Sequence, residues 1–339
     1  MITKELEKYI STIPKTELHL HIEGSFEPEL MFEIAQRNQV NIKFKTVEEL
    51  RQAYEFGNLQ DFLDIYYDGA NVLLHEQDFY DLTMAYFRKC KQDNVVHTEI
   101  FADPQTHLSR GVSMKTIIDG ITRARRDAER EFGISSYLIV CFLRHLDENS
   151  AIEMFEEALQ FRDKIIGVGL DSSEVGNHPE KFKRVFARAR EENFRLVAHA
   201  GEEGPSDYIW GALRELNVSR IDHGIRCMGD EELVEYLAEN QIPLTVCPLS
   251  NLKLQVVKSL THHPLKEMLD NGLLAMVNSD DPAYFGGYVN ENMLQTADAL
   301  NLSENDILQL AKNSFIASFL PDEEKEKWLT ELDNFRISN

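Results

Sequence analysis

Two histidines stand two residues apart in "TELHLHIEGS", His19 and His21. On a strand, residues i and i+2 point to the same side, so both imidazoles face one way. Neutral imidazole is a good zinc ligand, and two on one rigid strand need little further ordering. The pair alone has a plain alternative in solvated histidines, so the rest of the chain must decide. His199 in "AHAGEEG" and Asp280 in "NSDDP" offer a third nitrogen and an oxygen. Three nitrogens and a carboxylate leave room for a water, as a catalytic zinc site requires. Glu202 follows His199 by three residues, where a carboxylate can shuttle a proton beside a metal without ligating it. By itself it also reads as an exposed acid near a turn. His223 in "IDHGI" reads, alone, as a buried and satisfied histidine. Asp281 adjoins Asp280, and two neighbouring carboxylates repel unless a cation lies beside them. With one, the first can ligate while the second bonds a substrate. The alternative for either is a helix cap or Asx turn before Pro282.

Eight short, apolar, β-rich runs carry these residues, at 16–22, 95–103, 136–144, 165–173, 195–203, 220–226, 243–251 and 273–281. Several are apolar on both faces, as parallel strands covered by helices are. The segments between them have helical spacing, and one opens with a capping-box-like Ser303 and Asp306. Strand then helix, eight times, implies a (β/α)8 TIM barrel formed as a single domain by residues 1–339. All the metal-capable residues fall at C-terminal strand ends, the face on which barrels build active sites. The interval 23–94 exceeds a normal crossover, so extra helices are expected there over the barrel mouth, with others at the C-terminus. Within it, Leu59, Phe62, Leu63 and Tyr66 share a helix face, open between packing and pocket lining. No lysine ends the fourth strand, in "GLDSSE", so one metal ion is expected rather than a bridged pair.

Composition excludes several partners. Asp and Glu total 58 against 35 Lys and Arg, a net charge of −23 that repels phosphate backbones and anionic lipid. No nucleic acid or membrane partner is therefore expected. The four cysteines are far apart without a C-x-x-C pair, which points to a reducing, cytoplasmic setting. The N-terminus lacks the apolar core of a signal peptide, and the longest apolar run, 137–143, is too short to span a bilayer. The H-x-E and P-C-x-x-C zinc motifs are absent, and Cys247 reads as a core residue.

Taken together, "PKTELHLHIEGS", "AHAGEEG", "IDHGIRC", "CPLSN" and "NSDDP" resemble, in order and spacing, the adenosine/adenine deaminase family of the amidohydrolase superfamily. The likeness covers nearly the whole chain. It implies that His19, His21, His199 and Asp280 hold one zinc ion. It further implies Glu202 as proton donor, His223 as the group orienting the attacking hydroxide, and Asp281 as a contact to a small purine substrate. Nucleoside deaminases usually carry Asp two residues after the second histidine, on a ribose hydroxyl. Here Glu23 stands there, one methylene longer, and is expected to intrude on the ribose space. Where they tend to read "DLAGDE", this chain has "LDSSEVGNHPEKF". These departures, with "CPLSNLKLQVV" and "NSDDPAYFGGY", resemble the branch acting on the free base. The reaction so implied is hydrolytic deamination of adenine to hypoxanthine and ammonia, in purine salvage and nitrogen catabolism. N6-substituted adenines or adenosine are the alternative substrates; another amidohydrolase reaction or a non-catalytic purine-binding role ranks below them. Iron or manganese would suit the same ligands. Glu174 and Ser172 stay open as contacts to N3 of the base.

Overall fold

Eight strands form in a computed structural model that describes residues 2–54, 56 and 59–335. They are β1 Lys15–His21, β2 Val95–Ala102, β3 Ser135–Leu143, β4 Gly167–Asp171, β5 Arg195–Ala200, β6 Arg220–His223, β7 Leu244–Val246 and β8 Ala275–Val277. All pair in parallel, each with its sequence neighbour. The ring closes between the first and last: the His21 amide donates to the Asp280 carbonyl at 3.0 Å, and the Asp280 amide to the His19 carbonyl at 3.1 Å. The expected (β/α)8 barrel is therefore the observed fold.

Six of the predicted runs contain their strands, those at 16–22 and 136–144 start one residue late, and the runs overshoot at the C-terminal end. The run at 195–203 leaves the sheet after Ala200, and that at 243–251 becomes the helix Pro248–Lys253. All seven β1 residues are buried, because one face meets the barrel interior and the other meets helices. Phe101, Ile139, Cys141 and Val197 form a separate apolar plug, and Phe101 packs against both the His19 and His21 rings.

Between β1 and β2 lie the helices Pro28–Asn38, Val47–Ala53, Leu59–Ala70 and Glu76–Gln92, as the long interval predicted. The C-terminal helices are Val289–Leu300, Glu304–Ala317 and Asp322–Asp333. Glu304–Ala317 starts on the predicted box: the Asp306 amide donates to Ser303 Oγ at 3.2 Å, and the Ser303 amide to Asp306 Oδ2 at 2.8 Å. That helix covers the closing seam. Its Asn313 donates to the Ala275 carbonyl at 2.7 Å, and its Ser314 Oγ accepts from the Thr16 amide at 3.1 Å. Among the described residues, no helix is long and apolar enough to cross a membrane.

His263 anchors the chain after β7 as a neutral ring. Its Nδ1 accepts from the Leu265 amide at 3.1 Å, so Nε2 carries the proton donated to Asn251 Oδ1, also at 3.1 Å. Burial pushes its pKa down to about 4, against about 6.5 unfolded. Between those values the unfolded chain binds the proton and the native one does not. The ring's contribution is thus whole above pH 6.5 and drains away as pH falls to about 4, by on the order of 3 kcal/mol. Denaturant titrations at pH 7 and 4.5 should show His263→Asn losing less stability on acidification than the wild type; equal losses would refute this.

Candidate active site

Sheet register, rather than sequence proximity, assembles the site. His199 on β5 pairs with Asp222 on β6, which pairs with Thr245 on β7. One layer across three strands therefore holds an imidazole, a carboxylate and a hydroxyl. The closing seam lays Asp280 against His19 and His21. One donor atom each from His19, His21, His199 and Asp280 lie within 4.8 Å of one another, all four residues buried.

The ring orientations follow from their outer partners. His19 Nδ1 lies 3.2 Å from the Thr245 carbonyl and 3.0 Å from its hydroxyl. A carbonyl only accepts, so Nδ1 carries the proton and the Nε2 lone pair is free. His21 Nδ1 faces Asp171 Oδ2 at 3.4 Å, and His199 Nδ1 faces Asp222 Oδ2 at 3.5 Å. The Nε2 atoms point inward instead: those of His21 and His199 are 3.0 Å apart, and His19 Nε2 lies 3.2 Å from Asp280 Oδ1. Three lone pairs and a carboxylate converging in a buried volume, each ring braced by an oxygen behind it, is a donor set suited to a divalent cation.

Two positions leave regular strand geometry to do this. His223 has φ +66° and Asp280 φ +64°. The left-handed region costs a non-glycine residue about 1–3 kcal/mol. At Asp280 the reversal breaks strand alternation and lets Asp280 and Asp281 both face the cavity. Ser172, also on the wall, has φ +72° and bonds His145 Nδ1 at 2.8 Å.

The acids differ in charge state. Burial, then Asp280, holds the Glu202 carboxyl well above the usual carboxylate range, which favours its protonated form. Asp281 is raised by the same two causes. Burial opposes charge on Asp280 too, but a proton on the facing His19 Nε2, which Asp280 itself raises, outweighs it and holds this carboxyl well below its ordinary value; a cation bound there would take that proton's place. His223, pushed down by burial, stays neutral; its Nε2 is 3.6 Å from Glu202 Oε2 and 3.8 Å from Asp280 Oδ2.

These groups line a cavity walled by Phe62, Tyr66, Leu143 and Phe285, with Asp103 and Asp171 on one side. Phe62 and Tyr66 thus face the cavity from the helix Leu59–Ala70, while the side chains of Leu59 and Leu63 lie outside the described residues. Glu23 is buried, and its Oε2 has no hydrogen-bond partner among the described residues. His107 Nε2 holds its Oε1 at 2.8 Å, and the Asp103 amide donates to the same oxygen at 3.3 Å. Asp103, bonded by the Tyr66 hydroxyl at 3.2 Å, is the acid that reaches the wall. Sequence reasoning passed over Asp103, Asp171, Asp222 and Thr245. Their signal was available in part, since Asp171, Asp222 and Asp103 also end or follow strands.

A model of the adenosine deaminase family matches residues 14–335. The chain belongs to the adenosine deaminase family. It is 58% identical over 327 residues to an adenine deaminase of Wolinella succinogenes, covering 96% of this chain and 99% of that relative. The crystal structure of an adenine deaminase from Arthrobacter aurescens superposes with a TM-score of 0.93 at 50% identity, over 95% of this chain and 99% of the other. An amidohydrolase from Burkholderia ambifaria, solved with bound zinc, gives 0.91 at 26% identity, over 98% and 94%.

Proposed function

We propose that this member of the family deaminates adenine hydrolytically to hypoxanthine and ammonia, as one barrel unit spanning residues 1–339 around one zinc ion. The observation that carries the reading is the pairing, in one cavity, of a four-donor ligand cluster with two further buried acids, Glu202 and Asp281, whose carboxyls burial and Asp280 push upward. The choice of adenine follows from the 58% identity to adenine deaminase over nearly all of both chains.

His19, His21 and His199 would hold the ion through Nε2, with Asp280 as the fourth ligand. Bound there, it supplies a water nucleophile that is acidic near neutral pH. The other residues handle protons and orientation. Addition of oxygen at C6 breaks the ring's aromaticity, so N1 must gain a proton, and protonated Glu202 is its donor. In the common 9H form of adenine N7 accepts, so its partner must donate; Asp281, whose carboxyl burial and Asp280 push upward, does so in its protonated form and fixes the base's angle. Neutral His223, beside Glu202, hydrogen-bonds the attacking oxygen and holds it in line. Phe62, Tyr66 and Phe285 offer apolar walls that keep water from the ring faces. The four cysteines are free and buried, which supports a reducing cytoplasm, and the proposed reaction, which turns one free purine base into another, has its place in purine salvage.

Gly24 gives a separate handle on Asp281. A Cβ there would lie 1.9 Å from Asp281 Oδ1 and 2.7 Å from its Cα, so the aspartate has to shift. Gly24→Ala should keep its metal and lose roughly a hundredfold in kcat/KM, as expected for a displaced orienting group; unchanged kinetics would remove Asp281 from the substrate.

Incubation of the zinc-loaded protein with adenine, followed by absorbance and ammonia release, tests the reaction itself. One ammonia per hypoxanthine is expected. Adenine left intact would overturn the proposal.

A further inference from the structure

Glu202 sits on a four-residue turn, Gly201 to Gly204, immediately after β5. All four backbone amides of that turn point at one side chain from the segment after β4. The Gly201 amide donates to Glu174 Oε1 at 2.6 Å. Those of Glu202, Glu203 and Gly204 donate to Glu174 Oε2 at 3.1, 2.9 and 2.8 Å. Successive amides wrapped around an anion form a nest, here closed on a carboxylate of the same chain. Glu174 is only 1% exposed. The turn is shaped for it: Gly201 has φ +70°, and a Cβ at Gly204 would fall 2.8 Å from the Glu174 carboxyl. Arg144 ties the two segments together, donating to the His199 carbonyl at 2.7 Å and to the Asn177 carbonyl at 2.7 and 3.0 Å.

Both Glu174 oxygens are taken up by the turn, and Glu174 is not part of the cavity wall, whereas Glu202 and Glu203 are. That argues against a direct bond from Glu174 to the base. We propose that Glu174 is the positioning residue for Glu202: its carboxylate fixes the backbone of the turn and so aims the acid at the substrate. This rests on Glu202 being the proton donor.

Glu174→Gln is close to isosteric but cannot serve all four amides. Its single carbonyl oxygen accepts on one side, and its NH2 group meets an amide donor on the other. On the zinc-loaded enzyme, kcat should fall roughly a hundredfold, the loss expected for a misplaced catalytic group. KM should stay within about threefold, and metal content should not change. Gly204→Ala, which crowds the same carboxylate, should act in the same direction. In a Glu202→Gln background the Glu174→Gln change should cost almost nothing more, because the group it aims is gone. A purely structural role would give the same further loss in both backgrounds.

Three results would overturn the proposal: Glu174→Gln turnover within about threefold of wild type, a loss confined to KM, or a loss that tracks missing metal. Failure of both Glu174→Gln and Gly204→Ala to fold would make Glu174 a structural residue and also overturn it. Wild-type turnover by Glu202→Gln alone would instead sink the proton-donor reading. An inactive Glu202→Gln beside a fully active Glu174→Gln would sink only the proposal for Glu174.

Discussion

Glu202→Gln should retain its metal and lose about three orders of magnitude in turnover. The amide has nearly the shape of the acid, so the cavity and the four-donor cluster are left in place. What it lacks is a transferable proton. General acid catalysis by a positioned side chain is worth about 10²–10⁴ in rate. Burial and the neighbouring Asp280 favour the protonated form of this acid, and Arg144 only partly offsets them. Metal analysis and steady-state rates on the same preparation separate the two roles. Activity within about tenfold of wild type would end the assignment of Glu202 as donor, and loss of the metal would make it a ligand instead.

His199→Ala should behave in the opposite sense and lose the metal itself. His199 is one of three imidazoles whose free nitrogens converge, and burial pushes its pKa down to about 4, so the ring stays neutral and available at working pH. Removing it opens the ligand set. It also takes the partner from Asp222 Oδ2, which faces Nδ1 at 3.5 Å in a fully buried position, while Oδ1 keeps the Thr245 hydroxyl at 2.9 Å and Arg220 at 3.6 Å. An unpaired buried acceptor typically costs about 1–3 kcal/mol, so the variant should be less stable as well. Purified protein should carry less than about a tenth of the wild-type metal. A near-stoichiometric ion in that variant would contradict the ligand role.

How much of this could be read in the sequence divides along a physical line. Strands buried on both faces announce themselves as apolar runs, so all eight were visible and their order gave the barrel. Position at a strand's end drew attention to His19, His21, His199, Glu202, His223, Asp280 and Asp281, and the resemblance to the family, not the position, supplied their roles. Where the strands stop was harder. The predicted ends ran on because residues such as His223 and Asp280 turn left-handed to face the cavity, which no pattern of hydrophobicity reports. Pairing across strands was invisible too. Nothing in the string tells that Thr245 stands in register with Asp222, and Asp222 with His199. Glu23 illustrates the same gap: its extra methylene was legible, but its direction was set by His107, 84 residues away in sequence. Glu174, considered as a contact to the base, bonds instead to a turn 27 to 30 residues further on.

The central claim is that the cavity takes a purine base without its sugar. The most direct measurement is kcat/KM of the zinc-loaded protein for adenine, N6-alkyl adenines and adenosine, determined side by side from the absorbance change. Adenine should lead adenosine by at least about a hundredfold, the scale on which a closed site rejects an ill-fitting substrate. Adenosine turned over far faster than adenine would contradict it.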